Sequence, residues 1–237
     1  MTPTLSFCER LDSRRTNQPA RLAYIIDGVE RDNKSSIDHV FRVANGLIAA
    51  GIGKGDRVAV LSRNSLECAE VMTGILCSGA SMVPVPNTAT PEAQRNMLLD
   101  SAVKGLFVSD QYRNAALEHF MDIPSIRADL RFALETACEQ FHDHTAWAKT
   151  FDASSPNVHM ALDEEYDILY SSGTTGIPKG IIHSHLARSL LISGTEKMEF
   201  EGGVVLTSTP LYSNTTITTW WPSVWVGATQ VIMRKFN

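Results

Sequence analysis

Long hydrophobic runs are missing from this chain: no stretch approaches the ~18 consecutive apolar residues that a membrane-crossing helix needs. The first residues, Met-Thr-Pro-Thr-Leu-Ser-Phe-Cys-Glu-Arg, are too polar for a secretory leader. An excess of positive charge is absent as well. The 21 basic and 26 acidic residues give a net charge of −5 and are intermixed, so neither nucleic acid nor an anionic membrane surface is an expected partner. Cysteine is scarce: Cys8, Cys68, Cys77 and Cys138 include no Cys-x-x-Cys pair and sit among apolar neighbours. That excludes a disulfide framework and points to reduced thiols, hence to the cytoplasm. No internal repeat is found. What remains is an ordinary globular composition, 43% hydrophobic over 237 residues, enough for a large buried core.

The pattern along the chain is an alternation of strand and helix. Leu5, Cys8 and Leu11 give a short entry helix ending in the polar stretch from Arg14 to Gln18. Leu22–Ile26 and the residues after Asp27-Gly28 read as a hairpin. Ser36 is a candidate cap for a helix in which Ile37, Val40, Phe41, Ala44 and Leu47 keep a 3.6-residue period up to Gly51. Arg57–Leu61 is a short continuous apolar strand of the doubly buried type. A helix opened by Asn64 or Ser65 runs to Gly79, a strand covers Ser81–Val85, and Thr90-Pro91-Glu92 starts a helix that ends near Ser101. Leu106–Val108 is the next strand. Helices are predicted at Ala115–Met121 and Asp129–Phe141, followed by an irregular polar crossing from His142 to Leu162. Beyond it come a strand at Asp167–Tyr170, a strand around Ile181-Ile182, a helix from about Ser184, a buried strand at Val204–Leu206, a tryptophan-bearing helix and a strand at Thr229–Met233. Parallel neighbours need crossover helices, so the alternation predicts an α/β fold: one doubly wound, largely parallel sheet flanked by helices.

The most distinctive stretch is Tyr170-Ser171-Ser172-Gly173-Thr174-Thr175-Gly176-Ile177-Pro178-Lys179-Gly180. Its glycines let the backbone approach an anion closely, and its hydroxyls and lysine supply donors. It is not the Gly-x-x-x-x-Gly-Lys-Ser/Thr loop, because Pro178 stands where the second glycine belongs and Gly180 follows Lys179. Two His-x-His pairs, His142/His144 and His183/His185, lack companion ligands at metal-like spacing and are read as structural, with no metal site assigned. Asp163, Glu164 and Glu165 read as a solvated strand entrance. Tyr212, Trp220 and Trp221 have two readings, core packing or the lining of an apolar pocket that Ser213 would join.

The glycine stretch resembles, at nearly every position, the phosphate-binding loop of the acyl-adenylate-forming superfamily, which includes AMP-dependent acyl-CoA synthetases. Gly53-Lys54-Gly55-Asp56-Arg57-Val58 with Arg63-Asn64-Ser65, Gly79-Ala80 through Val85, Thr90-Pro91-Glu92 and Pro210-Leu211-Tyr212 resemble further family blocks in the same order. The resemblance implies that residues 1–237 are the first part of the large N-terminal domain of an acyl-CoA synthetase, without the C-terminal remainder and the mobile C-terminal domain. It implies an acid:CoA ligase that uses ATP, Mg²⁺ and CoA to convert a carboxylic acid, fatty or aromatic, to an acyl-adenylate and then a thioester. On that reading Ser171, Ser172, Thr174 and Thr175 would bond ATP phosphate oxygens, Gly173 and Gly176 would permit their approach, and Lys179 would screen their charge. Tyr212, Ser213, Trp220 and Trp221 would border the acyl site. Many members have histidine where this chain has Ser213. The chain by itself is expected to lack a complete catalytic set and to be inactive, with exposed surface that promotes dimers. The alternatives are an amino-acid adenylation domain, disfavoured by the absence of an acid in Ser213-Asn214-Thr215-Thr216, and a non-catalytic module that binds nucleotide or a partner.

Overall fold

The computed structural model describes residues 7–171, 178–195 and 202–235. The chain opens with α1 (Phe7–Asn17), β1 (Leu22–Ile26), β2 (Val29–Asp32) and α2 (Asn33–Ala49), then β3 (Arg57–Leu61), α3 (Leu66–Cys77), β4 (Ser81–Pro84), α4 (Pro91–Ser101) and β5 (Gly105–Val108). It continues through α5 (Asp110–His119), β6 (Arg131–Ala133), β7 (His142–Asp143), α6 (His144–Ala148), β8 (Glu165–Ser171) and β9 (Lys179–Ser184). Last come α7 (His185–Thr195), β10 (Val204–Thr207), α8 (Asn214–Val226) and β11 (Thr229–Ile232).

Local chemistry sets most helix starts. Ser65 Oγ accepts from the Cys68 N–H at 3.0 Å, and Thr90 Oγ1 accepts from that of Ala93 at 3.3 Å with Pro91 in the first turn. Each satisfies a donor that the helix leaves without an internal partner. α2 is capped by Asp32, whose carboxylate accepts from the Ser35 N–H at 2.7 Å, and not by Ser36, which is buried one turn inside the helix. α1 runs through the polar stretch to Asn17 instead of stopping before it, because Arg14 and Arg15 find partners there: Arg14 donates to the Trp225 carbonyl at 2.8 Å and Arg15 to Asp38 at 3.0 Å.

Among the described residues the strands form two sheets where one was expected. Seven strands run in the order β7-β6-β5-β3-β4-β8-β9, parallel except for β9, and four more run β10-β11-β1-β2. Along β3 the alternating side chains divide the interior: Val58 and Val60 enter the core that also holds α3 and Trp220 and Trp221 of α8, whereas Ala59 and Leu61 enter the one built from Met97, Leu98 and Ala116 of α4 and α5. β1 carries Tyr24 and Ile26 into the first of these cores, so its helices are covered by a sheet on each side. The second sheet depends on β1 pairing with β11, Tyr24 opposite Gln230, a contact that no local pattern announces.

Three further expectations are corrected. The helix predicted at Asp129–Phe141 is instead a 3₁₀ turn followed by β6, because the free edge of β5 takes Arg131–Ala133 in parallel register and Phe132 stacks on Phe107 with centroids 4.7 Å apart. The helix predicted at Ala115–Met121 begins earlier, at Asp110. β10 is not buried: as the outer strand of its sheet it leaves Val204 and Leu206 exposed. The crossing from His142 to Leu162 is irregular apart from β7 and α6.

α2 and α3 pack closely at Gly74, where a Cβ would lie 2.7 Å from Val43 Cγ1 and 3.0 Å from the Val40 carbonyl oxygen. Gly74→Ala is expected to destabilise by about 1–3 kcal/mol of overpacking, more than the ~0.5–1 kcal/mol that alanine gains within a helix. Urea unfolding of the Gly74→Ala, Val43→Ala and double variants should show a smaller cost for Gly74→Ala once Val43 is truncated.

α3 also buries Glu70, 2% exposed, and burial pushes its carboxyl up to about 8. Between the ordinary carboxyl range and about 8 the folded chain holds a proton that the unfolded chain has released, so this group lowers stability as pH rises. Glu70→Gln should therefore gain on the parent by on the order of 1–2 kcal/mol between pH 6.5 and 8, measured as the difference between their urea unfolding free energies.

Candidate functional site

β8 leaves the core at Tyr170 and returns as β9, and the ladder pairs Tyr170 with Gly180 and Ser171 with Lys179. The two ends of the glycine stretch are thus held opposite one another at the tip of a hairpin. Ser171 and the Lys179 side chain are exposed. Ser172, Gly173, Thr174, Thr175 and Gly176 lie outside the described residues. A Cβ on Gly180 would stand 3.0 Å from Ile168 Cγ2 and 3.2 Å from the Tyr170 ring, so glycine is what lets β9 close onto β8. The Tyr170 hydroxyl donates toward Asp100 Oδ2 at 2.6 Å and the Met97 carbonyl at 3.0 Å, fastening the hairpin to α4. Burial, then the Asp100 bond, pushes that phenol well above its usual range.

One turn of the ladder below the tip lies a network that the sequence reading did not single out. Asp167, with no exposed surface, accepts from Arg188 Nε at Oδ2 (2.8 Å) and from Arg188 Nη2 at Oδ1 (2.9 Å), while His183 Nδ1 lies 2.7 Å from Oδ1. Arg188 Nη1 also donates to Asn214 Oδ1 at 3.2 Å. Four elements, β8, β9, α7 and α8, therefore meet at one carboxylate. The signal was present in the sequence as an acid directly before the apolar Ile168-Leu169 of a strand, because a buried carboxylate demands a cation and donors. His185 packs edge-on against Tyr166, with centroids 5.0 Å apart, and burial lowers its imidazole below the usual range.

The block after β10 is fixed by a second unanticipated clamp. Asn64 Nδ2 donates to the carbonyls of Thr209 (3.0 Å) and Met233 (2.9 Å), and its Oδ1 accepts from the Leu211 N–H at 2.9 Å. Ser213 is the cap of α8, accepting from the Thr216 N–H at 3.2 Å. Tyr212 is half-buried, its hydroxyl 3.3 Å from Thr88 Oγ1. Trp220 and Trp221 have no exposed surface and lie 4.2 Å apart by centroid. Trp221 meets Tyr166 and Phe7 edge to face, so the structure puts both indoles in the core and leaves Tyr212 as the open member of that set. Of the histidine pairs, His144 is buried with Nδ1 3.0 Å from the Ala133 carbonyl, and His142 is exposed at the sheet edge. Among the described residues no group of three His, Cys, Asp or Glu side chains is placed to hold a metal ion, and no helix is long and apolar enough to cross a membrane.

A family model described as AMP-binding enzyme matches residues 12–237. The chain is 29% identical over 204 residues to the fatty acid–acyl-carrier-protein ligase ScoC of Streptomyces coeruleorubidus, a match covering 82% of this chain and 37% of ScoC. It is 28% identical over 211 residues to 4-hydroxybutyrate–CoA ligase 2 of Metallosphaera sedula, covering 84% of this chain and 38% of that protein. Among solved structures, the N-terminal domain of FACL13 from Mycobacterium tuberculosis, crystallised with an inhibitor, superposes with a TM-score of 0.82 at 26% identity, over 98% of this chain and 57% of that one. The chain thus spans well under two thirds of the length of each.

Removing one partner of a buried ion pair costs about 3–5 kcal/mol, whereas an exposed pair is worth about 1 kcal/mol or less. Arg188→Met should fall in the first class. Arg57→Met, which opens the partly exposed pair with Glu165 at 2.6 Å, should cost far less. Urea unfolding of both variants checks the ranking, and equal costs would remove the Asp167 cluster from its supporting role.

Proposed function

Since the chain belongs to the AMP-binding enzyme family, we propose that it is the phosphate-gripping part of an AMP-forming acid:CoA ligase. The observation that carries this reading is the β8–β9 hairpin, which sets Ser171 and Lys179 opposite each other at the two ends of the glycine stretch. In the proposed reaction a substrate carboxylate oxygen attacks the α-phosphorus of ATP, the bond to the β-phosphate bridging oxygen breaks, and pyrophosphate leaves. CoA thiol then displaces AMP from the acyl-adenylate.

The chain supplies no nucleophile in this scheme. Lys179 and the hydroxyls of Ser171, Ser172, Thr174 and Thr175 would act by position and charge, stabilising the negative charge that builds on the departing pyrophosphate. Gly173 and Gly176 would let backbone N–H groups reach the same oxygens. Mg²⁺, which accompanies ATP in such chemistry by neutralising phosphate charge, finds no ligand cluster among the described residues, and no step is assigned to it. Tyr212 and Ser213 are proposed to border the acyl group. Amino-acid activation is the second reading, and it is disfavoured because the block after β10 offers Asn214, already engaged by Arg188, where an ammonium-binding acid would be wanted. The acid itself, fatty or aromatic, is open to the assay.

The test is pyrophosphate release with ATP, CoA and a panel of carboxylic acids, on the chain alone and on a protein that carries the remaining length of its relatives. The chain alone is expected to be inactive. In the longer protein Lys179→Ala and Thr175→Ala should each slow adenylate formation by about tenfold or more, the loss of a charge-assisted bond, while the apparent affinity for the acid changes less. Unchanged pyrophosphate release in both variants would reject the assignment.

A further inference from the structure

Asn64, 5% exposed, stands in the turn between β3 and α3, and its side chain is saturated by backbone groups from a distant part of the chain. Nδ2 spends one hydrogen on the carbonyl of Thr209, just past β10, and the other on that of Met233, just past β11. Oδ1 takes the Leu211 N–H. Two donors and an acceptor in one short planar group are what a primary amide offers. Aspartate has the same shape without the donors, and it would set its oxygens against two carbonyls.

These bonds tie the carboxyl end of β3, in the seven-stranded sheet, to the carboxyl ends of β10 and β11 in the other. In open α/β sheets that is the end at which ligands are held. Thr216 holds the same turn from α8: its Oγ1 donates to the Pro210 carbonyl at 2.6 Å, and its N–H donates to Ser213 Oγ. The backbone of Tyr212 is therefore bracketed by a hold on Leu211 and one on Ser213, with its hydroxyl 3.3 Å from Thr88 Oγ1. Asn64 has almost no surface of its own, so a ligand at this turn meets Tyr212 and not the amide that fixes it.

We propose that Asn64 is a positioning residue for the acyl site: it sets where Tyr212 stands, and thereby how well the acid fits, while touching neither acid nor nucleotide. The inference rests on the reading that Tyr212 and Ser213 border the acyl group. The phosphate hairpin is held by other contacts, Tyr170 to Asp100 and Asp167 to Arg188, so loss of the Asn64 clamp bears on the acid and not on ATP.

The test measures kcat and KM for the acid and for ATP in the protein that carries the remaining length of its relatives, with the acid that releases most pyrophosphate. Asn64→Asp and Asn64→Ala should raise KM for the acid about tenfold or more, with KM for ATP changed by less than about twofold. Gly74→Ala, whose strain lies between α2 and α3, should leave both KM values near those of the parent, because lost stability lowers the active fraction and hence kcat. On the chain itself, hydrogen exchange at the Leu211 amide should quicken about tenfold or more in Asn64→Ala. An unchanged KM for the acid in folded Asn64 variants, an equal rise for ATP, the same rise in Gly74→Ala, or unchanged Leu211 exchange overturns the inference and leaves the ligase reading standing. If the Asn64 variants do not fold, Thr88→Val, at an exposed position, carries the test: freeing the Tyr212 hydroxyl should raise KM for the acid about threefold, and no change overturns the inference. A parent inactive with every acid rejects the ligase reading and this inference with it.

Discussion

A carboxylate with no exposed surface lies in the middle of β8, and four segments of the chain are ordered by its need for partners. A carboxylate buried there without a partner would be costly, since desolvating an unpaired charge is among the most expensive events in folding. Arg188 meets it with two hydrogen bonds, His183 adds a third contact across the ladder, and Arg188 in turn holds Asn214 at the start of α8. The register of β9 on β8, the seating of α7 and the entry of α8 are therefore mutually dependent. Displacing α7, which carries Arg188, would strand a buried charge.

Around this anchor the layers are apolar and closely fitted. Alternate residues of β3 feed two cores, and α2 and α3 approach so closely at Gly74 that no side chain fits between them. Polar exceptions have recognisable uses where they are matched. Asn64 holds three backbone groups from two distant segments, and Arg57 ties β3 to Glu165 at the foot of β8. Others are not fully matched, among them Glu70 Oε1, Ser109 Oγ and the Tyr166 hydroxyl.

How much of this the sequence disclosed follows the range of the causes. β3, α3, β4 and α4 could be placed from sequence because their signals are local: a short continuous apolar run, Ser65 and Thr90 as caps, Pro91 at a helix start. β6 was read as helix because its strand state comes from the edge of β5 and the stack of Phe132 on Phe107, neither visible within the segment. The division into two sheets was hidden for the same reason, resting on β1 beside β11. In the site, residue order alone singled out the glycine stretch and its flanking Ser171 and Lys179. Asp167 went unnoticed although an acid beside Ile168 and Leu169 was legible as a signal, and the meaning of Arg188 appears only when α7 folds back over β8. The fate of Trp220 and Trp221 was undecidable from spacing, because helical periodicity does not say what covers the face it predicts; Tyr166, Phe7 and the neighbouring indole do.

The geometry of the hairpin also explains why the buried charge must be neutralised and not merely tolerated. Asp167, Leu169 and Ser171 share one face of β8, opposite His183, Ile181 and Lys179 on β9. At about 3.3 Å per residue the carboxylate lies roughly 13 Å below the tip. That is only slightly beyond the ~10 Å screening length of dilute salt, and the interior between them screens less than water. An unpaired Asp167 would subtract from the pull of Lys179 on any anion at the loop. Paired with Arg188, Asp167 no longer presents an uncompensated negative charge beneath the end of the hairpin. The same ion pair that fixes the base of the hairpin thus leaves Lys179 without an opposing buried charge beneath it.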